Sequence, residues 1–207
     1  DVDTLLQLQP IVTDNREIGG RFNWARYGFE VSYYESNSDL GERLTFNSAT
    51  GTFEGSREKT EIQGVELSGH MQINDAHRVK LSYSHEDGES DTDGNGVVDT
   101  ELSGLTIAPD TVQMSWNAGW SRTVSSYLQV SHFFSRGFDD PDLDFDGYSL
   151  VDAMVSYKLP AGKLDLGIEN LTDEDYFTYY SQAARVSDEY NFKGRGRTYT
   201  LGYSLDF

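Results

Sequence analysis

The sequence predicts an all-β protein, an antiparallel sheet that crosses a membrane as the wall of a β-barrel. Three observations predict it. Apolar and polar residues alternate along segment after segment, the period of a strand with one greasy face. The links between these segments are alternately short and long, so one rim is trimmed and the other elaborated. The composition is 37% hydrophobic yet 13% aromatic, too aromatic for a disordered acidic chain and suited to a wall greasy on one side only.

The elements follow in chain order. Ile18, Phe22 and Trp24 share a face opposite Glu17, Arg21 and Asn23, predicting a strand over 15–24. Tyr27, Phe29, Val31 and Tyr33 predict one over 26–37. Val65, Leu67, Met71 and Ile73 alternate with Glu66, Ser68, His70 and Gln72 in 60–73, and Val79, Leu81 and Tyr83 with Lys80, Ser82 and Ser84 in 77–87. Val112, Met114, Trp116, Ala118 and Trp120 mark 110–121. The segment 124–136 is less regular, because Phe133 and Phe134 fall on both faces. Val151, Ala153, Val155 and Tyr157 mark 147–158, and Leu164, Leu166 and Ile168 mark 162–170. Arg197, Tyr199, Leu201, Tyr203, Leu205 and Phe207 line one face of the last strand, 196–207. No helix is expected, and residues 1–12 fit neither period.

The short links are 24–27, 74–77, 121–124 and 159–163; the long ones are 38–59, 88–109, 137–146 and 171–195. The strands are about 9–14 residues long, against the 9–11 needed to cross a bilayer at the usual tilt. Trp24, Tyr27, Trp120, Tyr157 and Phe207 gather near the short-turn rim, as an interfacial aromatic belt requires. A soluble β-sandwich would also alternate, but its apolar faces would need an equal and opposite sheet.

With 16 basic against 35 acidic residues the net charge is −19, which argues against nucleic acid as a partner. The absence of cysteine excludes thiol catalysis, disulfide scaffolds and zinc ribbons. No apolar run reaches the length of a membrane helix. The chain begins at Asp1, and we expect a processed protein or a piece of a longer one.

The C-terminal third carries more specific patterns. Asp146-Gly-Tyr-Ser-Leu-Val-Asp152, Leu164-Asp-Leu-Gly-Ile-Glu-Asn-Leu171 and Asp173-Glu-Asp-Tyr176 are followed by Gly194-Arg-Gly-Arg-Thr-Tyr-Thr-Leu-Gly-Tyr-Ser-Leu-Asp-Phe207. In order and spacing these resemble the closing strands of TonB-dependent outer-membrane receptors. Glu17-Ile-Gly-Gly-Arg21, Gln63-Gly-Val-Glu66 and Ile107-Ala-Pro109 extend the resemblance to nearly the whole chain from about residue 14. Asp175-Tyr-Phe-Thr178 and the run from Phe192 to Thr198 look closest to receptors of the aerobactin, hydroxamate–citrate type.

The resemblance implies a barrel of 22 strands around a plugged lumen, of which residues 1–207 would be about nine C-terminal strands, with the plug and remaining strands absent. It implies uptake of an iron–siderophore complex, with this chain as wall and as part of the extracellular mouth. The implied partners are the remaining barrel and plug, the TonB complex acting through the plug, the barrel-assembly machinery through Phe207, and lipopolysaccharide. The implied location is the bacterial outer membrane. Competing readings are a small complete outer-membrane barrel with a structural or adhesive role, and a secreted calcium-binding β-sandwich.

Candidate ligand contacts fall at the long-loop rim. Anionic chelates favour Arg and aromatic contacts, which nominates Arg136, Phe138, Tyr179, Tyr180, Gln182 and Arg185, beside Tyr176 and Tyr190. Lys193, Arg195 and Arg197 are better suited to anchoring the last loop or meeting lipopolysaccharide phosphates. In the 88–109 link, Asp91, Asp93 and Asn95 with Gly96 and then Asp99 follow the oxygen-ligand spacing of a calcium loop, though without the acid at the twelfth position. The run Asp142-Leu-Asp144-Phe-Asp146-Gly147 repeats part of that spacing. No catalytic arrangement is found: the histidines His70, His77, His85 and His132 lack metal-ligand spacing, and there is no nucleophile elbow or phosphate loop. An enzyme is not expected.

Overall fold

The computed structural model describes residues 10–47, 49–138, 141, 144–183 and 192–205. Its strands are β1 (Asp14–Asn23), β2 (Tyr27–Asn47), β3 (Thr52–Asn74), β4 (His77–Asp91), β5 (Thr100–Glu101), β6 (Thr111–Gly119), β7 (Val124–Phe133), β8 (Tyr148–Leu159), β9 (Gly162–Glu169) and β10 (Thr198–Leu205). A short helix, α1 (Tyr179–Ala183), lies between β9 and β10. All the strands join one antiparallel sheet in the order β1-β2-β3-β4-β6-β7-β8-β9-β10, with the two-residue β5 added to β4. The path does not close: β1 and β10 are its two ends.

Register turns the alternation of each strand into one continuous face. Phe22 lies opposite Phe29, and Phe29 opposite Gly69; the row continues through Leu81, Met114, Val130 and Val151. Farther along, Ala153, Ile168 and Tyr199 are neighbours across β8, β9 and β10. This face is uncovered, with Ile18 74% and Leu201 70% exposed. A sandwich would bury it beneath a second sheet, and the described residues form one layer. The greasy face therefore looks outward to lipid, as the alternation predicts.

All three tryptophans lie on or next to this face near the short turns. Trp116 and Trp120 meet edge to face at 5.6 Å, with the His77 ring against both at 5.7 and 5.3 Å, and Phe22 stacks on Trp24. The opposite face is polar and divided by height. Toward the short-turn rim it carries Arg21, His70, Arg78, Lys80, Lys158 and Lys163, with Glu30 and Asp165 among them. Toward the long-loop rim it carries Glu17, Glu66, Glu86, Asp152 and Glu169.

The nine long strands match the nine expected ones, but three expectations need correcting. The 38–59 link is mostly strand: β2 runs 21 residues and β3 runs 23, joined by a turn around 49–51, and β4 likewise continues to Asp91. Above the bilayer both faces of a hairpin meet water, so the apolar alternation that marks a spanning strand is missing there. A bulge between Ser38 and Gly41 also shifts the register. The second correction is α1, whose five residues are too few to show a helical period. At the other end, β7 stops at Phe133, short of the expected Arg136, which instead makes an isolated bridge to Phe145. Phe207 lies outside the described residues.

Candidate functional site

The apolar residues shielded from solvent are mostly not in the sheet. Leu102, Ile107, Phe145 and Ala183 belong to the long connections, and Tyr148 opens β8. They tie the described residues of three long connections, 92–110, 134–147 and 170–197, into one body on the polar side of the sheet. Gly88 makes the first tie possible: a Cβ there would sit 2.8 Å from Ile107 Cδ1 and 3.0 Å from Leu102 Cδ1. With no side chain in the way, the connection after β5 folds back over β4, and Leu102 N donates to the Gly88 carbonyl at 2.9 Å.

Aromatic rings make the second tie. Phe133 and Tyr176 both pack on Tyr148, at 4.7 and 4.4 Å, and Phe145 meets Tyr148 at 6.0 Å and Tyr179 at 5.3 Å. The Tyr179 hydroxyl donates to the carbonyls of Gly104 and Ile107, joining α1 to the first connection. Burial, reinforced by the charge of Glu86 against that of Arg136, pushes the Tyr179 phenol up to about 12. Burial first, and then the charge of Asp152, also raises Tyr176.

Polar groups complete the assembly. Arg136, with its side chain only 14% exposed, donates to the Glu86 carbonyl at 2.8 Å, Asp87 Oδ1 at 2.8 Å and Glu101 Oε1 at 3.0 Å. Its guanidinium carbon lies 5.2 Å from the centre of the Phe138 ring. Gln182 accepts from Asp146 N at 2.9 Å and donates to the carbonyls of Asp146 and Phe177 at 3.0 Å. Asn170, in the left-handed region at φ 51°, donates to the carbonyls of Glu174 and Arg195 and accepts from Glu174 N. Lys193 pairs with Asp175 at 2.6 Å, anchoring the returning strand.

Of the residues nominated from sequence, the structure brings Arg136, Phe138, Tyr179 and Gln182 into this one body. The polar groups of Arg136, Tyr179 and Gln182 are already engaged in holding it together. Tyr180 is 70% exposed, as is Phe192 at 75%. Arg185 and Tyr190 lie outside the described residues. Sequence reasoning missed Gly88, Phe145, Tyr148 and Asn170. Tyr148 and Asn170 lie within the motifs around Asp146 and Leu164, which is the signal that could have found them.

The acidic connection is held by hydrogen bonds within its own turn. Asp91 accepts from the N–H groups of Gly94, Asn95 and Gly96 at 2.8, 3.2 and 2.8 Å, while Asp93 accepts from Asn95 N and Nδ2. Asn95 Oδ1 accepts from Val97 N. These bonds fold the segment into a tight turn around Asp91. Among the described residues, no three His, Asp or Glu side chains converge to hold a metal. Calcium is unsupported for Asp91, Asp93, Asn95 and Asp99, and of the second acidic run Asp142 lies outside the described residues. Partial burial pushes the Asp91 carboxyl up, but the N–H groups of Gly96, Gly94 and Asn95, with Asp93, leave it below its ordinary value.

An open one-layer sheet with a bare apolar face, trimmed at one rim and knotted at the other, is a piece of barrel wall. The family model of the TonB dependent receptor-like β-barrel matches residues 4–171. The chain belongs to that family. TonB-dependent receptors are outer-membrane β-barrels that serve transport rather than catalysis, so the apolar face of this chain is its membrane surface. The ferric aerobactin receptor of Escherichia coli is 30% identical over 213 residues, covering 97% of this chain and 28% of that receptor. The rhizobactin receptor of Rhizobium meliloti is 25% identical, covering 97% of this chain and 27% of its own length. This chain therefore spans little more than a quarter of the curated relatives it matches. The structure of the copper transporter OprC matches all of this chain and 33% of its own, with a TM-score of 0.80 at 16% identity, which shows the shared fold.

Proposed function

We propose that this chain is the C-terminal barrel wall and part of the extracellular mouth of a receptor for a ferric siderophore of hydroxamate–citrate type. The observation that carries the reading is the assembly of three long connections on the polar side of the sheet, directly above a membrane-facing wall. Such an assembly holds exposed aromatics such as Tyr180 and Phe192 over the barrel entrance without relying on loose loops. The 30% identity with the aerobactin receptor supports the ligand class. The remaining strands, with a plug in the lumen, complete the receptor, and TonB supplies energy through the plug. Lipopolysaccharide surrounds the outer rim, and the barrel-assembly machinery reads the C-terminal strand. Arg185, with Tyr180 and Phe138, supplies contacts to the anionic chelate.

The test is transport by the whole receptor. Produced in a Gram-negative strain lacking its own siderophore receptors, it restores growth on ferric aerobactin as sole iron source and accumulates radioactive iron only when TonB is intact. Growth on a ferric catecholate and not on aerobactin would replace the ligand class; no TonB-dependent uptake of any iron chelate would remove the reading.

A further inference from the structure

The turn that follows β4 carries chemistry of its own. Asn95 precedes Gly96, the only Asn-Gly pair in the sequence, and both residues are exposed to water. An asparagine side chain can be attacked at its amide carbon by the main-chain nitrogen of the next residue. Here the bond from Gly96 N to Asn95 Cγ would form and the Cγ–Nδ2 bond would break. The side-chain nitrogen leaves as ammonia, taking the proton of Gly96 N, and a succinimide ring remains. Water then opens that ring at either carbonyl, giving aspartate or isoaspartate. A side chain on the attacking residue crowds the ring as it closes, and glycine has none.

The turn prepares the electrophile and restrains the nucleophile. Asn95 Oδ1 accepts from Val97 N at 2.7 Å, which folds the amide carbon back toward the Gly96 nitrogen that lies between them in the chain. The same N–H is a donor at the oxygen where charge develops during attack. Asn74 makes the equivalent bond to Ala76 N at 2.8 Å, but there the intervening residue is Asp75, whose Cβ obstructs the ring. At Asn95 it is Gly96, with φ 91°. To attack, Gly96 N must give up its proton, and that N–H donates to Asp91 Oδ2 at 2.8 Å. A carboxylate so close disfavours negative charge on the nitrogen. Asp91 Oδ1 meanwhile accepts from Gly94 N and Asn95 N at 2.8 and 3.2 Å, so both carboxylate oxygens grip the turn.

We infer that Asn95 is a latent modification site, converted to isoaspartate through a succinimide with Gly96 when the bond between Asp91 and Gly96 opens. The conversion runs one way, because ammonia is lost. Isoaspartate inserts a methylene into the main chain and adds a negative charge beside Asp91, Asp93 and Asp99. It also changes the acceptor that Val97 N uses, so the turn does not close again as it was. The reacting and restraining groups all lie within residues 91–97, and the inference does not depend on which chelate the receptor carries.

The intact receptor, purified from outer membranes in detergent, is held at mildly alkaline pH in heavy-oxygen water and then digested in ordinary water. Mass spectrometry reads heavy oxygen at residue 95, and an isoaspartyl methyltransferase counts the isoaspartate. The folded wild type should convert several-fold more slowly than the same receptor unfolded in guanidinium. Asp91→Asn leaves one acceptor oxygen where there were two, and should bring the folded rate several-fold closer to the unfolded one. In the unfolded chain Asn74 should convert several-fold more slowly than Asn95. Adding Gly96→Ala to Asp91→Asn should suppress the reaction in folded and unfolded receptor alike, which a merely loosened loop would not do. Equal folded rates in wild type and Asp91→Asn overturn the inference. So does a folded wild type as fast as the unfolded chain, or an unfolded chain that yields no isoaspartate at residue 95.

Discussion

Arg136 shows how a residue suited to ligand capture can serve the scaffold instead. Its planar fork reaches a carbonyl and two carboxylates on β4 and β5 at once, a geometry that a lysine's point charge does not reproduce. Arg136→Ala should weaken the rim assembly by about 1–3 kcal/mol, discounted because Asp87 is largely solvated. Limited proteolysis of the intact receptor should then cut the 92–110 connection several-fold faster, and Arg136→Lys should restore little of the protection. Asp91 gives a prediction with a definite sign. Its carboxyl lies below the ordinary 3.8 in the folded turn, so its contribution is full above that pH and fades as pH falls through the lower folded value. Hydrogen exchange at Gly94 and Gly96 should stay slow from pH 7 to about 4 and accelerate in stronger acid. Millimolar calcium should leave that profile unchanged; a calcium-induced protection would reopen the metal reading.

At the scale of elements, the fold depends on where side chains are missing as much as where they stand. Gly88 is the point on β4 over which the connection after β5 folds. Gly88→Val should force Leu102 and Ile107 away, at about 1–3 kcal/mol for overpacking, and release the 92–110 connection to protease while the membrane-embedded strands stay intact. The belt at the opposite rim is equally specific. With Trp24, Trp116 and Trp120 all near the short turns, lipids brominated close to the headgroup should quench most of the tryptophan fluorescence. Lipids brominated at the chain ends should quench little. The reverse order would place the rim at the wrong depth. The spanning parts of these elements were legible in the sequence because lipid imposes period two on one face. The upper parts of β2, β3 and β4 were not, because water on both faces imposes no period.

The whole sheet has two unpaired ends, β1 and β10, and a barrel wall is stable in lipid only when every strand edge is paired. Refolded in detergent by themselves, residues 1–207 should give edge-paired aggregates rather than a heat-modifiable monomer; a compact closed monomer on a semi-native gel would favour a small complete barrel. The charge of the molecule is also polarised. Basic groups on the polar face collect toward the short turns, and acidic ones collect toward the long connections and within them. The net −19 therefore belongs to the outer end of the wall, while the lower half of the polar face presents cations to whatever fills the barrel.

The sequence by itself determined the strand count, the face each spanning residue takes and which rim is the elaborated one. All of these follow from a two-residue period and from one solvent being lipid. It also carried the family, through the order of short motifs around Asp146, Leu164 and Gly194. Tertiary structure decided what the mouth residues do. Whether Arg136, Tyr179 or Gln182 is free for a ligand depends on partners 35 to 75 residues away in the chain, and no local pattern encodes such a distance. It likewise showed that Asp91 caps a turn, since only the folded backbone shows which donors reach its oxygens.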